Sequence, residues 1–340
     1  MAERSPADDG FRMPAEWAPH ERCWMGWPCR GELWGEGLEA AREAYAGVAR
    51  AIAGFEPVTM LANEAQLEDA RARCGDRVAC EIMPLDDSWL RDSGPSFVLD
   101  GRGGLAGVDW RFNAWGEKFL PYDQDALIAG RLLGRLGVRR YAAPLVLEGG
   151  SIHVDGEGTL LTSEECLLNP NRNPDLDRAA IEDLLRRYLG VETFVWLGQG
   201  LDKDDTDGHI DNIACFVRPG VVMAVTCDDP ADPNHAILED NLARLRKAKD
   251  ARGRSLEIVE LPLPREARYL DGHRLALSYV NYYIANGGIV MPSFGDAHDA
   301  LAREIVARAF PDRRIAQVPA GDILVGGGGI HCITQQQPRA

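Results

Sequence analysis

The chain has 340 residues, room for one large unit or two ordinary ones, and an apolar fraction of 45% that supplies a substantial core and excludes a disordered chain. Its 53 acidic against 37 basic residues leave a formal net charge of −16, which argues against nucleic acid or an anionic membrane as partner and favours a cationic substrate. The opening MAERSPADDGFRMP lacks the apolar stretch of a signal peptide and no run of 18 apolar residues occurs, so a cytoplasmic setting without a membrane partner is expected.

From the N-terminus, a strand-like CWMGWP at 23–28 precedes a helical pattern over 35–55. A first hairpin joins 97–100 to LAGVDW through GRGG and leads to a helix over 126–137. A second joins 151–154 to TLLTS through DGEG and leads to a helix over 176–190, with Asp175 as its N-cap and Gly190 as its terminator. A third, 209–217 with VVMAVT, precedes a helix over 236–250; a fourth, 278–284 with IVMPSF, precedes one over 300–310. GIHCIT, from about 328, reads as a last strand. Repetition of a hairpin-and-helix unit predicts about five units in one domain over 1–340, a closed α/β ring whose last strand returns to the first segment. The echo of GGSIH (149–153) in GGGIH (327–331) points the same way.

The eight cysteines are too scattered for a disulfide scaffold, and the pairs Cys23/Cys29 and Cys74/Cys80 lack the C-x2-C spacing of structural zinc. Most therefore read as small core residues in a reducing compartment. Cys332 stands apart. Four glycines and His331 precede it in GGGGIHCIT, a setting that suggests close backbone approach and a constrained nucleophile. Strand alternation points His331 away from the thiol, so the base must come from another unit, and His209 in DGHIDN is the candidate. Asp211 lies two residues on and, on a strand, shares the face of His209.

DDSWLRDSGP (86–95) contributes Asp92 and Trp89, with Asp86 or Asp87 readable as a cap and Arg91 as an ion-pair partner. Glu148 precedes the Gly149-Gly150 turn. Gathering Asp92, Glu148 and Asp211 beside a thiolate is costly unless a cation neutralises them. A planar guanidinium with five N–H donors meets that need and presents its central carbon to sulfur, which selects guanidine chemistry over ester or peptide hydrolysis.

These segments, with LEGGSIHVDGEGTLLTSEECLLNPNRNP, DTDGHIDN, SYVNYYIANGGIV and GGIHCITQQQP, resemble the agmatine deiminase family within the guanidine-modifying superfamily, from GFRMPAEW at 10–17 to the end of the chain. The resemblance implies a five-bladed pseudo-symmetric α/β propeller around a central pocket. It implies Cys332 as nucleophile, His209 as general acid–base, Asp92, Glu148 and Asp211 as guanidinium-binding carboxylates, and Trp89 against the aliphatic stem. The implied substrate is agmatine, in polyamine synthesis, with no metal or organic cofactor. Gly329 departs from the family's usual Asn, a change expected to loosen the loop or widen the pocket. Two other readings stand beside this one: action on another guanidine such as arginine, by hydrolysis or amidino transfer, and a metallohydrolase using His209, Asp211 and His153 or His331. No segment reads as an interface helix, and a homo-oligomer is left open.

Overall fold

The computed structural model of the chain describes residues 4–340. Strand β1 (His20–Gly26) pairs in parallel with β2 (Val58–Ala62), and β2 with β3 (Val78–Ile82). The next three sheets repeat one wiring: an antiparallel pair whose second strand takes a parallel third. They are β4 (Ser96–Leu99), β5 (Leu105–Arg111) and β6 (Arg139–Val146); β7 (His153–Val154), β8 (Thr159–Ser163) and β9 (Thr193–Leu197); and β10 (Ala214–Arg218), β11 (Val221–Thr226) and β12 (Glu257–Pro262). A small hairpin, β13 (Tyr269–Leu270) with β14 (His273–Arg274), stands outside this pattern. The wiring returns in β15 (Tyr283–Ala285), β16 (Gly288–Ser293) and β17 (Arg314–Pro319). Finally β18 (Thr334–Pro338) runs antiparallel to β1 and supplies the missing first strand of the first sheet. Five units thus form a closed five-bladed α/β propeller.

Helices connect the second and third strands of each unit, as a parallel connection requires. The Leu38–Ile52 helix buries Ala41, Tyr45, Val48, Ala49 and Ile52, the spacing of one helical face. Its counterparts are Ile128–Leu136, Arg178–Leu189, Pro233–Lys247 and Asp299–Ala309. The Arg178–Leu189 helix is capped by Asp177, whose carboxylate accepts from the Ala180 N–H, and not by Asp175; Gly190 ends it with φ 68°. The helix starts three residues beyond Asp175, so only Asp177 reaches its orphan amides. A shorter helix, Leu67–Cys74, links β2 to β3 and was not legible in the sequence.

The seam between chain ends is a built joint. Trp24 sits opposite Gln335, and its indole N–H donates to Gln337 Oε1 at 2.9 Å. No helix among the described residues is long and apolar enough to cross a membrane.

Candidate active site

Four predicted strand starts prove to be irregular, buried segments. Ahead of its first strand, each unit delivers a short turn inward: a helical turn Leu90–Ser93, 3-10 turns Gly149–Ser151 and Ile210–Asn212, the stretch 278–282, and the turns across 326–333. The apolar character that suggested strands there reflects burial in the interior, not ladder pairing. His209 and Asp211 consequently share no strand face; they flank and enter a 3-10 turn that aims both inward. Cys332 likewise precedes its strand, in a turn, and does not lie on it.

The five turns bring the predicted residues together. Cys332 is 2% exposed, and its Sγ lies 3.5 Å from Asp211 Oδ2 and 3.3 Å from Asn281 Nδ2, which donates to it. Asp92 Oδ1 accepts from the Gly150 N–H at 2.9 Å and Oδ2 from the Trp115 indole at 3.0 Å. His209 is fully buried, with Nδ1 3.8 Å from Asp92 Oδ1 and Nε2 3.5 Å from Glu148 Oε2. A Cβ on Gly150 would stand 2.6 Å from His209 Nδ1, 2.9 Å from Asp92 Oδ1 and 3.0 Å from Asp211 Oδ2, so three groups from the two neighbouring units converge on this turn of a third.

Electrostatics follow from this crowding. Burial, reinforced by Asp211 and Asp92, pushes the Cys332 thiol well above its usual range. Burial lowers the proton affinity of His209, but Asp92, Cys166 and Glu148 outweigh it and hold the imidazolium well above the ordinary histidine value. Burial lifts Asp92 to about 6, against the pull of His209 and with the push of Asp211 and Glu148. Asp211 is lowered, its burial overcome by His331, and Glu148 is lowered, its burial overcome by Arg172 and His209.

Trp89, Asp92 and Cys332 line one cavity with Leu33, Trp115 and Phe119, and Asp87 and Asp205 add two carboxylates to its wall. Glu148, His209 and Asp211 lie behind that wall and do not line it. Arg172 Nε donates to Glu148 Oε1 at 2.8 Å and His209 faces Oε2, which separates Glu148 from the carboxylates open to the cavity. The glycine run has a steric reason. A Cβ on Gly326 would stand 2.3 Å from the Trp34 ring and one on Gly328 2.5 Å from that of Trp89, two indoles stacked 5.9 Å apart. Gly329 does not widen the pocket: a Cβ there would lie 2.3 Å from Asn281 Oδ1, so the side chain of Asn281 occupies that space.

Sequence reasoning missed Asn281, Arg172 and Glu16. Asn281 is the lone polar residue of the apolar run YVNYYI, Arg172 the only cation in NPNRNP, and Glu16 lies in GFRMPAEW, a block to which no role was attached. The donor atoms that gather within 4.8 Å of one another among the described residues are those of Glu148, Cys166 and His209, not those of His209 and Asp211 with His153 or His331 that the metallohydrolase reading needs. The cysteine of that cluster is also not Cys332.

A closed five-bladed α/β ring with a cysteine, a histidine and three carboxylates buried at its centre defines the guanidine-modifying class. The chain belongs to the Porphyromonas-type peptidyl-arginine deiminase family, whose model matches residues 12–338. It is 49% identical over 357 aligned residues to an agmatine deiminase of Ectopseudomonas mendocina, covering 98% of this chain and 97% of that one. Among solved structures, the agmatine deiminase of Enterococcus faecalis superimposes with a TM-score of 0.96 at 40% identity, over 100% of this chain and 99% of that one. A Campylobacter jejuni agmatine deiminase gives 0.87 at 28% identity over 97% of each chain.

Proposed function

We propose that the chain is an agmatine deiminase, hydrolysing agmatine to N-carbamoylputrescine and ammonia through a covalent thiouronium on Cys332. The observation that carries this reading is the crowding of Asp92, Asp211 and Glu148 around one thiol and one imidazolium, an arrangement that a cationic electrophile neutralises. Asp87 and Asp205 on the same cavity wall suit a substrate cationic at both ends, as agmatine is, better than one bearing a carboxylate.

Asp92 and Asp211 take the guanidinium N–H groups, while Trp89 packs on the aliphatic stem. Glu148 is assigned a different part from the clamp: held by Arg172, it positions His209 and keeps it charged. The bound cation offsets the two carboxylates that raise the Cys332 pKa, so the thiol releases its proton to solvent and the thiolate adds to the central carbon. The His209 imidazolium donates its proton to a terminal nitrogen, the C–N bond breaks and ammonia leaves. Neutral His209 then takes a proton from water as its oxygen adds to the same carbon. The C–S bond breaks, the hydroxyl proton departs and the urea is released with the thiolate restored. The net change is guanidinium plus water to urea plus ammonium. No cofactor enters these steps, which proceed with protein groups and water. A reducing, cytoplasmic setting is part of the proposal, in keeping with eight free thiols.

The test is ammonia and N-carbamoylputrescine production from agmatine, with arginine in parallel, by the wild type and Cys332→Ala. Product from agmatine alone, lost in the variant, is expected. Turnover of arginine at a comparable kcat/KM would overturn the substrate assignment.

A further inference from the structure

The two echoing motifs place His153 and His331 on either side of one carboxylate. Glu16 Oε2 lies 3.0 Å from His331 Nε2 and 3.4 Å from His153 Nε2, and Oε1 accepts from the Ile284 N–H at 2.9 Å. The histidines nevertheless differ in charge. His153 Nδ1 accepts from the Phe216 N–H at 3.3 Å, so its one proton is on Nε2 and the ring is neutral. His331 meets a carboxylate at each nitrogen, Glu16 at Nε2 and Asp211 Oδ2 at 2.8 Å from Nδ1. Both nitrogens must donate, so the ring is an imidazolium. All four residues are 5% exposed or less.

A buried line therefore runs from Glu16 through His331 and Asp211 to the Cys332 sulfur, 3.5 Å beyond. Asp211 spends Oδ2 on this line, while its buried Oδ1 is without a hydrogen-bond partner. That is the geometry of a carboxylate braced through one oxygen so that the other can receive a guanidinium N–H. Of the groups at 10–17 only Glu16 reaches this line, which gives GFRMPAEW a role.

We infer that Glu16 is a positioning residue for the deiminase reaction: its carboxylate keeps His331 doubly protonated, and His331 in turn holds Asp211 ionised and oriented for the substrate cation. The inference rests on the deiminase reading for the identity of that cation, not for the charge on His331. Other charged or titratable groups face this line. The Arg91 side chain donates from Nε to the His331 carbonyl at 3.4 Å and disfavours the imidazolium; the His153 ring lies 6.5 Å away, tilted by 38°; Asp92, His209 and Cys332 lie beyond Asp211. Burial and Arg91 oppose the charge on His331, and Glu16 and Asp211 outweigh them. With Glu16 neutralised, one of the two carboxylates that hold the His331 charge is gone, and the ring gives up its proton at lower pH than in the wild type.

Glu16→Gln keeps the shape and removes the charge. Relative to wild type, its kcat/KM for agmatine is expected to be close to normal near pH 6, where His331 is still protonated, and to fall about tenfold or more by pH 9, mainly through KM. A purely structural role would lower activity by the same factor at every pH, and that result would overturn the inference. His331→Gln, one step nearer the sulfur, should remove the pH-dependent deficit caused by Glu16→Gln when the two are combined; additive losses would also overturn it. Should Glu16→Gln not fold, long-range 15N–1H spectra of the wild-type imidazoles decide alone: His331, assigned by its disappearance in His331→Gln, must show two protonated nitrogens at pH 8. A neutral His331 there refutes the proposal whether or not agmatine proves to be the substrate.

Discussion

Gly150→Ala puts one methyl group at the point where the second, third and fourth units meet. Gly150 has no left-handed φ, so the backbone tolerates alanine and the effect is steric. The new Cβ would stand 2.6 Å from His209 Nδ1, 2.9 Å from Asp92 Oδ1 and 3.0 Å from Asp211 Oδ2. Restoring ordinary contact requires the imidazole to retreat by roughly 0.8 Å, and misplacement on that scale costs about 100-fold in rate. The carboxylates must give less. Because His209 is wedged between Asp92 and Glu148, it has nowhere apolar to go, and overpacking should cost about 1–3 kcal/mol of stability as well. We expect kcat/KM for agmatine to drop at least about 100-fold, read as ureido product against time, with the fold retained by circular dichroism. Gly134→Ala is the control. It lies in the Ile128–Leu136 helix with nothing within 4 Å of its Cβ, and should leave activity unchanged while stabilising by about 0.5–1 kcal/mol. A folded Gly150→Ala enzyme within threefold of wild type would refute the convergence of these three groups on the reacting guanidinium.

Two further outcomes follow from the charges. In Cys332→Ala, which binds without turnover, Asp92 with its pKa lifted to about 6 must lose a proton to hold the cation, so agmatine affinity by calorimetry should rise up to tenfold per pH unit below about 6 and level above it. An affinity independent of pH between 5 and 7 would remove Asp92 from the clamp. Arg172→Met takes the guanidinium at 2.8 Å from the fully buried Glu148, while Asp207 keeps Lys118 and Asn171, and should destabilise by about 3–5 kcal/mol in urea melts with kcat falling more than KM rises. Unchanged kcat would mean that Glu148 does not act through His209.

The order of hairpins and helices was legible in the chain because each element carries its own signal: alternation, turn glycines and a helical apolar face. Closure was legible through the recurrence of the unit, although the strand that makes it is the polar Thr334–Pro338 and not GIHCIT. Chemical types also told in the sequence, since three carboxylates, a histidine and a glycine-flanked cysteine are consistent with few reactions. What local patterning could not separate is a buried strand from a buried turn. Both bury apolar side chains, and only the packing of five units decided that the runs from 151, 209, 278 and about 328 begin as inward turns ahead of their strands. For the same reason the partners of each carboxylate were decided by tertiary structure. Glu148 is taken by Arg172 and His209, Asp211 by His331, and Asp92 is left nearest the open cavity. Those partners lie 24, 120 and 61 residues away along the chain for Glu148–Arg172, Asp211–His331 and Glu148–His209, and a contact of that separation leaves no period in a sequence.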